Sequence, residues 1–596
     1  MDNPPEHWDI AVLGTGLSQS ILAAALAQGG KRVLHLDENA YYGGDSASLS
    51  LTEVVEWADS RSSASKTDSS SPSPSQYMSR QGSRFTSISY NFGDEELRKS
   101  LLKESRQYSI SLMPTIIPAT GDVISALVGS GVSRYGGFKL LEAVGVYDAD
   151  HAGHIRRVPS SKEDVFKDRD MSLIEKRRLM KFLTFAAGQF EQADELRGQE
   201  STPFLDFLRT KFSLSVPVSN AIVFAIAHCS SPSDHSLSAL NRMRRYLHAT
   251  GRYGNSPFLI GHYGGAGEVA QGFCRAAAVK GATYILGRVV KSIAHIAQGP
   301  EANSIPPLSS EPVENLPTGP HYSIQLDGFA NPVSADVIVM APDYSPLVYP
   351  AGYDGTTTTS APALTDGQVF VTRCIAILDR PVYATQSSPS HDLEGEHGQD
   401  ASTTAAVSSG PDTSLVIFPP GSVGDGPEGP VFAFITGDGT LGCPSGKFIV
   451  YLTAIINRSG LALDPPPASQ ILAPYLERLL AIRDSTPSST APMTESAPPS
   501  PLFDIYYNQS LDHPPPRLQP HSVGDNNKII LLDESPSTES PLSESADKAA
   551  AEAEKVFWEV VGGKPRDGED IVPGAISSFW QPLEETKDVD DDDPEW

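Results

Sequence analysis

Apolar positions change period along the chain, and each change predicts an element. Trp8 to Leu13 is an apolar run of strand length, Leu17 to Gln28 is apolar over helix length and closes at Gly29-Gly30, and Arg32 to Asp37 is a second short run. These predict a strand, a helix and a second strand, one βαβ unit. From Arg157 to about Ala249 helical spacing dominates, most clearly in MSLIEKRRLMKFLTFAAGQF. Ser172 and Glu175 form an S-x-x-E capping box there, and Leu179, Phe182, Leu183, Ala186 and Phe190 follow as a stripe at helical spacing. A helical unit is therefore inserted into α/β texture. That texture returns after Arg252 with Gly-rich turns, a helix around Val269 to Val279, and strands at Ala282 to Val290 and Val337 to Met340. No fixed period repeats, which excludes a solenoid or propeller.

Polar tracts interrupt the pattern. After Trp57 the stretch SRSSASKTDSSSPSPSQYMSRQGSR is too polar to pack and predicts a disordered insert over about 59–84, with order resuming near Phe85. Further Pro-, Ser-, Gly- or acid-rich tracts predict inserts at about 298–320, 386–410 and 485–500, and another runs from Glu534 to Ser545. The organisation that follows is a first α/β domain over 1–157 that resumes at 251–533, a helical second domain over 158–250, and a C-terminal extension over 534–596 with a short ordered segment and an acidic tail. With 49 Pro and 49 Gly among 596 residues, the packed part is shorter than the chain.

Charge narrows the partners. Lys and Arg number 45 against 73 Asp and Glu, a formal charge of −28, which argues against nucleic acid and against constitutive docking on an anionic membrane, since both need basic surface. A basic protein partner remains open, as does plain solvated acid in tails such as Asp588 to Glu595. Cys229, Cys274, Cys374 and Cys443 are scattered without a CxxC pair, so neither a zinc site nor a disulfide framework is expected. No basic leader precedes an apolar segment, no apolar run approaches the ~20 residues of a spanning helix, and no CaaX box closes the chain. A cytoplasmic protein is expected.

The candidate chemistry begins at IAVLGTGLSQS, residues 10–20. In a dinucleotide site the first glycine makes a tight turn, the second lets backbone approach the pyrophosphate, and the third lets helix and strand pack closely. Gly14 and Gly16 supply the first two, while Gln19 stands at the third, in space the helix–strand contact would need. Asp37 ends the second strand, where an acidic group would hold a ribose hydroxyl; its plainer reading is a strand-end turn residue. The site is half written, and no cofactor is expected. No G-x-S-x-G or HExxH motif points to catalysis, and His151-x-x-His154 lacks a third ligand, so no metal is expected.

Four blocks carry a resemblance. VLGTGLSQSILAAALAQGGKRVLHLDENAYYGGDSAS, SISLMPTIIPATGDVISALVGSGVSRYGGFK, RVPSSKEDVFKDRDMSLIEKRRLMKFLTFA and GRYGNSPFLIGHYGGAGEVAQGFCRAAAVKGATYILG resemble successive regions of the family containing Rab GDP-dissociation inhibitors and Rab escort proteins. They cover roughly a quarter of the chain. The resemblance implies an α/β, FAD/NAD(P)-binding-like discontinuous domain, similar to flavin monooxygenases but without flavin, with an inserted all-helical domain; the long disordered inserts, read from composition, have no counterpart in it. It implies a Rab-binding platform at Tyr42, Glu268 and Arg275. Seven residues are about two helical turns, so Glu268 and Arg275 would share one face while Val269, Phe273 and Ala276 can face the core. It implies a helical domain that shelters the geranylgeranyl chain on Rab, to which the Leu179 to Phe190 stripe would contribute; a plain helix–helix core is the alternative.

Within that family, escort proteins dock the α subunit of the Rab geranylgeranyltransferase α/β heterodimer through a Phe and an Arg, matched here by Phe166 in DVFKD and Arg177 in EKRR. Dissociation inhibitors keep the Arg but carry a smaller aliphatic residue at the Phe position. The resemblance thus implies a non-catalytic escort protein that binds GDP-bound Rab, presents it to the transferase, shields the lipid, and touches membrane transiently on delivery. A recycling inhibitor is the alternative, and a flavin-dependent oxidoreductase a more distant one. His262-Tyr263-Gly264-Gly265 and Ala270 depart from the family pattern in the loop and helix of the platform.

Overall fold

The structure is a computed structural model that describes residues 7–64, 75–149, 154–159, 161–168, 171–296, 321–348, 368–382, 410–458, 465–482, 500–511, 528–564 and 576–582. The βαβ opening forms, with His7–Leu13 and Val33–Asp37 paired in parallel across helix α1 (Leu17–Gln28). α2 (Leu51–Ala64), α3 (Gln76–Arg84), α4 (Glu95–Lys103) and α5 (Asp122–Gly129) follow. α6 (Lys162–Lys167), α7 (Leu173–Ala187), α8 (Phe204–Lys211), α9 (Val216–Asn220), a π-helical turn at Ala221–Ile226 and α10 (Ser236–Ala249) make up the helical unit. α11 (Ala266–Val279), α12 (Ala468–Leu480) and α13 (Ser545–Val561) return to the sheets.

Two large sheets organise these elements. In the first, Thr283–Leu286, Val33–Asp37, His7–Leu13, Val333–Met340 and Lys528–Leu531 run in parallel, and His321–Leu326 and Val290–Ile296 add antiparallel strands. A parallel row must be covered on both faces. α1 covers one of them and is itself covered by α11 and α13, which is why its sequence is apolar all round instead of amphipathic. The second sheet has eight strands, from Phe85–Phe92 through Gln368–Leu378 to His154–Arg157. Its side chains alternate faces: Ile375 and Ile377 join the core shared with the helical unit, while Cys374 and Ala376 join the core under α12.

Three expectations change. The tract at 59–84 is not one unpacked insert, because α2 runs to Ala64 and α3 occupies Gln76–Arg84; residues 65–74 lie outside the described residues. Its polar composition conceals burial: Ser75 caps α3 by accepting from Met78 N, Tyr77 stacks on Tyr344 at 4.6 Å, and Gln81 and Arg84 both reach the buried Asp343. The C-terminal extension is not an appendage either, since α13 buries Ala546, Ala550, Ala553, Val556 and Phe557 in the core with α1. Finally, only half of the capping box forms. Ser172 Oγ accepts from Glu175 N at 3.2 Å, but the Glu175 carboxylate accepts from Ser215 N at 2.8 Å and so ties α7 to the start of α9. The inserts at 298–320, 386–409 and 485–499 lie outside the described residues.

Candidate functional site

Close backbone approach builds the first surface. The turn before α11 carries Gly264 and Gly265 at φ 85° and 80°, conformations that glycine adopts without strain. Gly267, in the first turn of α11, faces the loop that follows Tyr41-Tyr42-Gly43-Gly44. A Cβ there would lie 2.3 Å from Ser48 N and 2.8 Å from Ser46 O, so only glycine lets helix and loop touch. Beyond that contact the half-buried Tyr42 ring meets Tyr284 edge-on, with centroids 5.9 Å apart. Burial, and then Cys274, push its hydroxyl pKa up.

Glu268 and Arg275 are exposed on α11 while Val269, Ala270, Phe273 and Ala277 face the core. Partial burial raises the Glu268 pKa. Its place in the first helical turn favours the carboxylate. The Arg275 guanidinium lies 5.3 Å over the ring of Tyr135, whose hydroxyl donates to Gly272 O at 3.0 Å. The expected platform residues thus sit on or beside one helix.

A second surface lies on the helical unit. Phe166, Leu173 and Ile174 are 58%, 60% and 62% exposed, and Arg177 is exposed one turn further along α7. Lys176, on the buried side of the same helix, donates from Nζ to the Phe166 carbonyl at 2.9 Å and so holds the end of α6 against α7. The stripe, by contrast, is internal. Phe182 and Phe190 are fully buried, and Phe182, Phe185, Phe190, Phe204, Phe207 and Phe212 contact one another ring to ring. The stripe packs in one core with residues of the second sheet such as Ile375 and Ile377.

The glycine motif makes the expected turn, with Gly14 at φ 100° and Gly16 capping α1, yet its surroundings do not fit a dinucleotide. Gln19 does not wedge between helix and strand, as the sequence suggested, but turns back over the glycines. A Cβ on Gly16 would lie 2.7 Å from Gln19 Oε1 and 2.2 Å from Glu534 Oε1. The place where a phosphate would meet the helix N-terminus is therefore filled by a side-chain amide and a carboxyl. Arg84 pairs there with Asp45 and Asp343 and faces Glu534. Burial, and then Asp45, push the Glu534 pKa up to about 8. Asp37 is also spent: it accepts from Thr15 N and Oγ1 at 2.8 and 2.7 Å and from Asn39 N and Nδ2 at 2.8 and 2.9 Å. No lone pair is left facing a ribose.

With this geometry in place, the comparisons decide the lineage. The sequence model described as "GDP dissociation inhibitor" matches residues 2–71 and 77–303. The chain belongs to the GDP dissociation inhibitor family. It is 30% identical over 449 residues to the Rab proteins geranylgeranyltransferase component A of Saccharomyces cerevisiae, covering 75% of this chain and 62% of that protein. It is 36% identical over 300 residues to the Drosophila melanogaster protein of the same name, covering 49% of this chain and 55% of that one. The chain thus spans less than two thirds of the length of these curated relatives. Among solved structures, a Rab GDI from Plasmodium falciparum superposes with a TM-score of 0.55 at 19% identity, covering 94% of this chain and all of that one, which establishes the shared fold.

Sequence reading did not single out Tyr135, Lys176 or Glu534. The first two lie inside family blocks and could have been flagged: an aromatic before Gly-Gly, and a lysine on the apolar side of a helix. Glu534 carries no local signal, since its role depends on a strand and helix from the far end of the chain meeting α1. Among the described residues no group of His, Cys, Asp or Glu could hold a metal, and no helix is long and apolar enough to cross a membrane.

Proposed function

We propose that the chain is a Rab escort protein, a non-catalytic accessory component that binds GDP-bound Rab GTPases and presents them to the Rab geranylgeranyltransferase heterodimer. The relatives named geranylgeranyltransferase component A support this. The observation that carries it over a recycling inhibitor is Phe166, a large exposed ring whose backbone carbonyl is bonded to Lys176, the residue before the exposed Arg177.

In this reading the platform offers Rab a tyrosine and two opposite charges about two turns apart, and tight binding of the GDP form slows nucleotide release. A C-terminal Rab segment lies over the first domain. Phe166 and Arg177 engage the transferase, an exposed aromatic and an Arg being the residue types that dominate interface energetics. Each buried CH₂ of an isoprenoid is worth about 0.8 kcal/mol, so a carrier that lifts lipidated Rab from a membrane must offer an apolar sheath. In the helical domain the phenylalanine cluster would part to admit the chain.

Binding measurements with paired variants test this. Phe166→Ala should weaken transferase binding at least tenfold and leave Rab binding unchanged, and Arg275→Ala should do the reverse. Unchanged transferase affinity in Phe166→Ala would favour the recycling inhibitor.

A further inference from the structure

The cleft at the start of α1 holds a ligand drawn from the chain itself. Glu534 enters it from the segment after Lys528–Leu531, lying against Gly16 and Gln19. Gln19 is fully buried, and its amide, turned into the cradle, finds no partner of standard hydrogen-bond geometry. With Asp45 and Asp343 already balancing Arg84, a phosphate would be repelled here while a single carboxyl fits.

The same segment then runs across the boundary between the domains. Asp533 accepts from Ser535 N at 2.9 Å and pairs with Lys548 at 3.0 Å, and Lys548 also donates to Ser535 O at 2.8 Å, which fixes the turn beside the cradle. Next, Thr538 O accepts from Ser230 Oγ at 2.8 Å, and Glu539 accepts from Ser238 Oγ at 2.9 Å and Arg242 Nη1 at 2.8 Å. Ser543 Oγ lies 3.0 Å from both His228 Nδ1 and the Tyr246 hydroxyl, and Glu544 accepts from Arg245 and Tyr246. Asp547 closes the path, accepting from Arg245 Nη1 and from Val123 N, at the start of α5, at 3.0 Å each. Every donor from Ser230 to Tyr246 belongs to the helical domain, whereas Gly16 and Val123 belong to the first.

We propose that the phosphate cradle of this fold has become the docking site for an internal strap, Asp533–Asp547, whose Glu534 anchors it and whose remaining residues brace the helical domain against the first domain. Arg242 is almost fully buried, so the guanidinium is held in place by its own domain and presents a fixed donor to the exposed Glu539 of the strap. On the escort reading, on which this consequence rests, the strap sets the spacing between the Rab platform and the transferase-docking Phe166.

Peptide-resolved hydrogen–deuterium exchange on the full-length chain tests the strap without Rab or transferase, so its failure is distinct from failure of the escort reading. Glu534→Ala should speed exchange at least fivefold in residues 535–547 and in α10, leaving Gln368–Leu378 unchanged. Coupling is reciprocal, so Glu539→Gln, a variant at an exposed carboxylate that leaves the core intact, should speed exchange at residues 14–20. If Glu534→Ala does not fold, Glu539→Gln decides alone. Faster exchange confined to each variant's own neighbourhood would overturn the proposal.

Discussion

Lys176 donates from Nζ to the backbone carbonyl of Phe166 at 2.9 Å, so a lysine on the core side of α7 holds the main chain that carries an exposed phenylalanine ring. On the proposed escort reading, the relationship separates the residue that would dock from the residue that holds its backbone. Lys176→Met keeps the aliphatic stem and removes the donor, at a cost of about 1 kcal/mol of stability. Transferase affinity should fall severalfold while Rab affinity holds, measured by calorimetry with each partner.

Two phenylalanines of the helical domain have opposite roles. Phe182→Ala empties a fully buried site and should cost about 3–5 kcal/mol, whereas Phe166→Ala removes a largely exposed ring and should leave stability within about 0.5 kcal/mol. Urea unfolding of the two variants checks the contrast.

On the platform, Arg275 rests on Tyr135. If the ring pre-orients the guanidinium for Rab, Tyr135→Phe should retain Rab affinity and Tyr135→Ala should lower it about fivefold, the size of an exposed cation–π contact of ~1 kcal/mol. Equal losses in both variants would assign the effect to the hydroxyl's bond with Gly272 O instead.

Stability should fall as pH rises from 6.5 to 8. Burial raises the Glu534 pKa from 4.5 to about 8, with Asp45 and Asp343 adding to the rise and Arg84 opposing it. The folded state then binds the proton more tightly than the unfolded state. That contribution is complete below pH 4.5 and is lost as pH rises through 8, with a limiting slope of ~1.4 kcal/mol per pH unit. His35 and His228, depressed by burial to about 4 and 3, titrate below this window, as do Asp504 and Asp547, raised to about 6. Thermal melts of Glu534→Gln over the window should be flatter than those of the parent.

What could be read from the chain divides by range. α1 and the strands beside it were legible because an apolar run between Gly16 and Gly29 is a local pattern. The shared exposure of Glu268 and Arg275 followed from helical period alone. α3 was hidden because its buried polar side chains are paired by Asp343 and Asp45, far off in sequence. α13 left a signal that went unused: Ala546, Ala550, Ala553 and Phe557 recur at helical spacing within a segment read as an extension. The refilling of the glycine cradle was half legible, in Gln19, and half not, because Glu534 arrives through tertiary structure.

The central claim is an escort function, and lipid transfer tests it most directly. GDP-loaded Rab, the transferase heterodimer and geranylgeranyl pyrophosphate are incubated with and without the chain, and incorporation is followed. The account predicts that incorporation requires the chain and drops at least tenfold with Phe166→Ala. Incorporation no greater with the chain than without it, while the chain still extracts prenylated Rab from membranes, would contradict it and identify a recycling inhibitor.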